Sequence, residues 1–237
     1  MSNDLPQERD TADQHAPEPS APWIIVAIRP AGRRVVIVGS GAVARRRAEQ
    51  FASRGARVEI YDPNLATEKP ADLPPEAVLF ERAATRNDIA GAWLVVVATS
   101  DAAVNAEVGQ WTTELDINCN RTDDADAGTF AMPALLEDDH GWKVAVLGGE
   151  AGPLFSAWVK GLVGQMAARE QIDRVYMALA SARRAAEELS ISQKDRAFLL
   201  RRVMAKILEI ASDEDGAQDM LHGAALVHAI AKSKGWS

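Results

Sequence analysis

Short apolar runs alternate with longer mixed segments from Trp23 to about Asn118. Four of the runs read as strands, over residues 34–38, 57–61, 77–80 and 93–98. The first and last are near-continuous and β-branched, the pattern of parallel strands buried on both faces. Between the first two, residues 42–53 are rich in good helix formers and stop at Gly55, a residue suited to end a helix. Strand, helix and strand with short connections predict right-handed βαβ units. The expected fold class is therefore α/β, with a Rossmann-type, doubly wound parallel sheet.

The pattern changes after Asn118. "TFAMPALLEDDHGWKVAVLGG" reads as two strands, one entered at 129–131 and one over 142–147, around the turn-like "EDDHGW". Beyond Gly152 the chain reads as wholly helical. Pro153 suits a first helical turn, and Leu154, Phe155, Trp158, Val159, Leu162 and Met166 recur near helical spacing. Further helices are expected over 171–189, 192–211 and 217–232, with Ser192 as an N-cap. No internal repeat is present. The organisation expected is a tail over 1–21, a nucleotide-binding domain over 22–118, a central β region over 119–152 and a helical domain over 153–237.

Composition narrows the function. Apolar residues make up 47% and charged residues 25% of the 237, enough for a buried core in a soluble protein. A formal net charge of −8 argues against general binding to nucleic acid, whose phosphates need a basic footprint. A local basic pocket for an acidic small molecule stays open. The single cysteine, Cys119, excludes an internal disulfide and a CxxC metal pair, so a reducing, cytoplasmic setting is expected. Residues 1–21 are polar and proline-bearing, read as a flexible tail with His15 solvated. They lack the basic start and apolar run of a secretory signal. No apolar stretch is long enough to cross a bilayer, so no membrane partner is expected.

The strongest chemical signal is Gly39-Ser40-Gly41-Ala42-Val43-Ala44, a G-x-G-x-x-A run after a strand and at the opening of a helix. Gly39 permits the tight turn, Gly41 lets a pyrophosphate approach the backbone, and Ala44 lets the helix pack on the strand. The helix start offers N–H groups to phosphate. Asp62 ends the next strand, where it would accept hydrogen bonds from an adenosine ribose and repel a 2′-phosphate. NAD is thus favoured over NADP. The plainer alternative is a strand–turn–helix with Asp62 capping a turn before Pro63. Thr99, Ser100 and Asp101 follow the fourth strand, where ligands of open α/β sheets sit; Asp101 equally suits a helix cap. Arg45, Arg46 and Arg47 read either as a solvated face or as an attraction for an anionic substrate. Asp123, Asp124 and Asp126 occupy a loop that is either an exposed turn or the source of a base.

Other chemistries are disfavoured. His140, His222 and His228 show no metal-ligand spacing, since the last two stand at i,i+6 on different helix faces. Neither Tyr61 nor Tyr176 has a lysine four positions later, and Ser156 lacks a nucleophile elbow. No resident metal site is expected.

"GRRVVIVGSGAVARRRAE", "GARVEIYDP", "AWLVVVATSDAAVN", "NCNRTDDADAGTFAMPALL" and "VAVLGGEAGP" follow one another over roughly residues 22–170. In that order they resemble the siroheme synthase N-terminal family, the NAD-dependent precorrin-2 dehydrogenases, some of which also act as sirohydrochlorin ferrochelatases. The most specific element is Phe130 to Pro133 with the Val-Ala-Val and Gly-Gly-x-x-x-Pro segment after it. The resemblance implies a homodimer whose central β region is the dimerisation region, and a helical domain covering the cleft by the nicotinamide. It implies NAD contacts at Gly41, Ala42, Val43, Asp62, Pro63, Asn64, Thr99 and Ser100, to which the loop reading adds Gly39, Ser40 and Asp101. The family's essential aspartate falls on Asp123, with Asp124 as a rival. A tetrapyrrole substrate is implied, precorrin-2 or sirohydrochlorin, with Fe2+ or Co2+ as the substrate of any chelatase (lyase) activity. Arg121-Thr122 depart from the usual apolar pair, Gly152 stands where many members carry Ser, and "WIIVAIRPAGRR" follows the usual opening loosely. Two other readings compete. One is a non-catalytic NAD-sensing domain of potassium-transport type, which shares the "AT-x-D-x-x-x-N" segment from Ala98 to Asn105 but has no need of "FAMPALL". The other is a tetrapyrrole or metal carrier.

Overall fold

The structure, a computed structural model, describes residues 23–65, 73–124, 126–169, 172–211 and 222–236. The tail expected over 1–21, with His15, lies outside them, as does the start of the helix expected over 217–232. The chain divides into two compact units, Met1–Ala131 and Met132–Ser237.

The first unit is built on five parallel strands: β1 (Arg34–Val38), β2 (Arg57–Tyr61), β3 (Val78–Phe80), β4 (Leu94–Val97) and β5 (Asn118–Arg121). Their order is β3-β2-β1-β4-β5, with Val35 opposite Val58 on one side and Leu94 on the other. After Arg34, β1 is apolar, as is all of β4, because helices cover both sheet faces, leaving Val35, Val36, Ile37, Val95, Val96 and Val97 with no exposure. On one face Val36, Val38, Val95 and Val97 meet Ile89 and Val108. α1 (Ala42–Ala52) turns Ala44, Ala48 and Phe51 inward, and Gly55 ends its turn at φ +79°. α2 (Arg86–Ile89) is closed by a capping box of Thr85 and Asp88. α3 (Ala102–Glu114) begins at Asp101, whose carboxylate accepts from the Ala103 and Val104 amides.

A polar tie holds the opposite, amino-terminal end of the sheet. The Arg34 guanidinium on β1 forks onto Glu59 of β2 at 2.9 and 2.6 Å and also donates to the Asp88 and Ala90 carbonyls. That fork holds the Glu59 carboxyl below the usual carboxylate range. With this end pinned, the free edge of the sheet is its carboxyl end. There the chain leaves β1 and β4 in opposite directions, opening the crevice that doubly wound sheets use for ligands.

The second unit opens with an antiparallel pair, β6 (Ala134–Glu137) and β7 (Lys143–Val146), Ala134 opposite Val146. α4 (Gly152–Arg169) packs on both strands. α5 (Ile172–Glu187), α6 (Gln193–Ala211) and α7 (Gly223–Ser233) enclose Ala178, Ala182, Leu199, Val203, Ile207 and Val227. Ser192 caps α6, accepting from the Asp195 amide at 3.1 Å. The strand expected to enter at 129–131 is not one. Thr129 and Phe130 donate to the Cys119 carbonyl at 2.8 and 3.3 Å, lacing this segment to β5. β6 then begins only after Pro133, which has no N–H for a ladder. Among the described residues no helix is long and apolar enough to cross a membrane.

Candidate functional site

The crevice at the carboxyl end of the sheet encloses about 660 Å³, within the range of small-molecule and cofactor sites. Three segments distant in sequence line it: the bend from Gly39 to Val43 after β1, Asp62-Pro63-Asn64 after β2, and Thr99-Ser100-Asp101 after β4. All the residues named for a nucleotide therefore face one cavity. The two glycines of the bend differ in kind. Gly39 sits at φ +106°, and a Cβ there would lie 2.5 Å from the Ala98 carbonyl oxygen. Its requirement is internal to the fold. Gly41 has an ordinary φ of −66°, and a Cβ built on it would meet nothing within 4 Å. The space in front of it is open, and the first amides of α1 have no side-chain cap. That combination suits a phosphate.

Asp62 is already engaged. Its Oδ2 accepts from the Ser40 hydroxyl at 2.6 Å and its Oδ1 from the Asn64 amide at 2.8 Å. The turn-capping reading and the ribose reading thus fall on one carboxylate, each oxygen keeping further acceptor capacity. Of the three arginines, Arg45 lines the cavity and donates to the Ser40 carbonyl at 2.7 Å. Arg46 is exposed. Arg47 turns to Gln50 at 2.8 Å, where burial and then Arg46 draw its guanidinium down to about 10.

Sequence reasoning missed Tyr61 and Trp111, which also line the cavity. The Tyr61 ring stacks on Phe80 at 4.5 Å with the Arg82 guanidinium 5.0 Å above. Burial first, and then its bond to Glu59, push the Tyr61 hydroxyl up to about 12. The aromatic residues that end β2 and β3 are the signal that could have marked Tyr61; Trp111, on α3, had none.

The acidic loop is arranged differently. Thr122 lines the cavity, whereas Asp123 and Asp124 are not among its lining residues. Asp123 pairs with Arg121 at 2.7 Å, and that hydrogen bond outweighs burial in holding its carboxyl below the ordinary range. Asp124 accepts from the Asp126 and Ala127 amides at 3.1 and 3.3 Å and so serves its own turn. Asn120 donates to the Phe130 carbonyl at 3.0 Å, fastening the Phe130 segment to β5. Cys119 is buried, and burial pushes its thiol up, away from reactivity. His140 lies where spacing gave no hint: with Asp138 and Asp173 it offers three ligand atoms within 4.8 Å of one another. Two of these residues are exposed, and Asp173 accepts from the Trp142 indole at 2.8 Å.

Comparison with known proteins bears on this cleft. Residues 26–134 match a family model described as "Putative NAD(P)-binding". The precorrin-2 dehydrogenase of Bacillus subtilis (strain 168) is 30% identical over 110 residues, covering 46% of this chain and 67% of that protein. The chain belongs to the siroheme synthase and precorrin-2 dehydrogenase family. The siroheme synthase of Stutzerimonas stutzeri (strain A1501) is 29% identical over 145 residues, 57% of this chain but 31% of the synthase. Siroheme synthase 2 of Aeromonas salmonicida (strain A449) is 35% identical over 123 residues, 52% of this chain and 25% of the synthase. This family member thus spans between a quarter and a third of the length of these synthases. The solved structure of SirC, a precorrin-2 dehydrogenase, superposes with a TM-score of 0.63 over 89% of this chain and all of that one, at 19% identity. That likeness establishes the common fold: a parallel Rossmann-type sheet, a small antiparallel pair and terminal helices.

Proposed function

We propose that the protein oxidises precorrin-2 to sirohydrochlorin with NAD as the hydride acceptor. The observation that carries this reading is the cleft itself, in which the glycine bend, Asp62 and Thr99 converge in a family whose relatives are named for this reaction. Bound NAD would supply the electron-pair acceptor at its nicotinamide. The α1 amides and Gly41 would seat its pyrophosphate, and Asp62 would accept the ribose hydroxyls while repelling a 2′-phosphate. The tetrapyrrole loses one hydride and one proton; Asp123 accepts the proton and passes it to water. Incubating the full chain with precorrin-2 should form one NADH per sirohydrochlorin, with NADP a much poorer acceptor. A folded, NAD-binding protein that leaves precorrin-2 unchanged refutes the reading.

A homodimer is proposed as well. On α4, Leu154, Trp158, Leu162 and Met166 are 87, 63, 43 and 53% exposed, an apolar stripe larger than single-residue scatter accounts for. A second copy can bury the same stripe reciprocally about a two-fold axis. Sedimentation equilibrium should return twice the 25.5 kDa chain mass, and Trp158→Glu should return the single mass. A wild-type monomer at micromolar concentration would remove the proposal.

A further inference from the structure

Arg121 and Asp123 stand two residues apart at the carboxyl end of β5, and their side chains close on one another. Nε reaches Oδ1 at 3.2 Å and one terminal nitrogen reaches Oδ2 at 2.7 Å. Two donors into one carboxylate make the fork that arginine forms and lysine cannot. The side chains are only 14 and 29% exposed, so water screens this pair less than a surface bridge. α3 leaves room for it, because a Cβ on Gly109 would sit 3.2 Å from the Arg121 chain.

A third residue acts on the same carboxylate. Asn105, 1% exposed, adds to Arg121 in drawing the Asp123 carboxyl down. Its carboxamide also donates to the Thr99 carbonyl at 3.2 Å and accepts from the Thr99 hydroxyl at 2.6 Å. Thr99 lines the cleft. Asp123 is therefore held by Arg121, and the Asn105 that also acts on it is bonded to the cleft wall.

We propose that Arg121 is a specificity residue, confining the tetrapyrrole chemistry at Asp123 to oxidation and excluding metal insertion. This rests on the reading of Asp123 as the proton acceptor for tetrapyrrole oxidation. The two reactions ask opposite things of the carboxylate. In oxidation, positive charge grows on the tetrapyrrole as the hydride leaves, and a fixed anion stabilises it before taking a single proton. In insertion no electrons move: a dication enters and two pyrrole N–H protons leave. That reaction needs a stronger base and an unobstructed approach for a cation. Arg121 opposes both, since its hydrogen bonds weaken the basicity of Asp123 and its positive charge repels the incoming ion. An apolar residue at this position would remove both obstacles at once.

The test uses the full chain, Arg121→Leu and Arg121→Lys, each with three readouts. The first is NADH from precorrin-2. The second is insertion of cobaltous ion into sirohydrochlorin, measured against the protein-free rate. The third is the pH midpoint of the Asp123 carboxyl carbon by NMR. The wild-type chain and R121K should make NADH and leave insertion at the protein-free rate. R121L should keep its NAD affinity, move the Asp123 midpoint up by about one pH unit, and insert cobalt roughly tenfold or more above the protein-free rate. Insertion by the wild-type chain overturns the proposal, as does R121L that makes NADH without gaining insertion. An Asp123 midpoint unmoved in R121L overturns it too, whatever the turnover. Absence of NADH from the wild-type chain instead refutes the oxidation reading, while the NMR midpoint still reports on the Arg121 fork.

Discussion

Asp123→Asn lowers NADH formation from precorrin-2 by about two to four orders of magnitude, the loss expected when a positioned base is removed. Asparagine keeps the size of the side chain and one acceptor oxygen, so it can still take a bond from Arg121. It cannot accept a proton. NAD affinity, set by the glycine bend and Asp62, should stay within about twofold of wild type on that account. The companion variant Asp124→Asn decides between the two aspartates. Asp124 gives Oδ1 to two amides of its own turn, and an asparagine oxygen can accept both bonds. Its turnover should therefore stay near wild type. Stopped-flow measurement of NADH under single-turnover conditions checks both variants. The assignment fails if D123N turns over normally, or if D124N is the variant that loses activity.

The second large effect separates two glycines that look alike in the motif. Gly39→Ala should cost at least about 2 kcal/mol of stability, because it puts a methyl group into a close-packed contact at a left-handed backbone position. The Cβ would lie 2.5 Å from the Ala98 oxygen and 2.9 Å from its carbon, both backbone atoms of the neighbouring β4 segment, which cannot simply rotate away. Thermal unfolding should show the drop with or without cofactor. Gly41→Ala should leave the melting temperature of the cofactor-free protein unchanged, since its Cβ would project into open space. The same methyl contests the position of a pyrophosphate, so NAD should bind roughly tenfold or more weakly, about 1.4 kcal/mol. Calorimetry on both variants gives the answer. Equal losses of stability, or undiminished NAD binding by G41A, would show that the bend has a purely structural role.

Much of the first unit can be read directly from the chain, because its strands are buried on both faces and carry unbroken β-branched runs. Val35 to Val38 and Leu94 to Val97 have no polar residue to blur the pattern, and their places in the sheet follow. The bend and Asp62 were equally legible, since turn geometry and a strand end are local properties. What failed was non-local. The segment 129–131 has strand-like composition, yet its amides are spent on one carbonyl of β5, and Pro133 withholds a donor. The grip of Arg121 on Asp123 could not be read either. It depends on α3 lying against β5, with Gly109 leaving a gap that composition does not reveal. Likewise Asp173 comes beside Asp138 and His140 only through the packing of the second unit. Spacing along the chain sees partners on one element and is blind to those that tertiary structure brings in.

The Ser40 hydroxyl and the Asp62 carboxylate have a thermodynamic corollary. A coenzyme that hydrogen-bonds Asp62 through its ribose uses the acceptor capacity left beside contacts the empty protein has already made. Those contacts precede its arrival, so the heat released will fall short of what a count of all bonds to Asp62 in the complex suggests. In return the bend is held in shape beforehand, and less disorder has to be surrendered on docking.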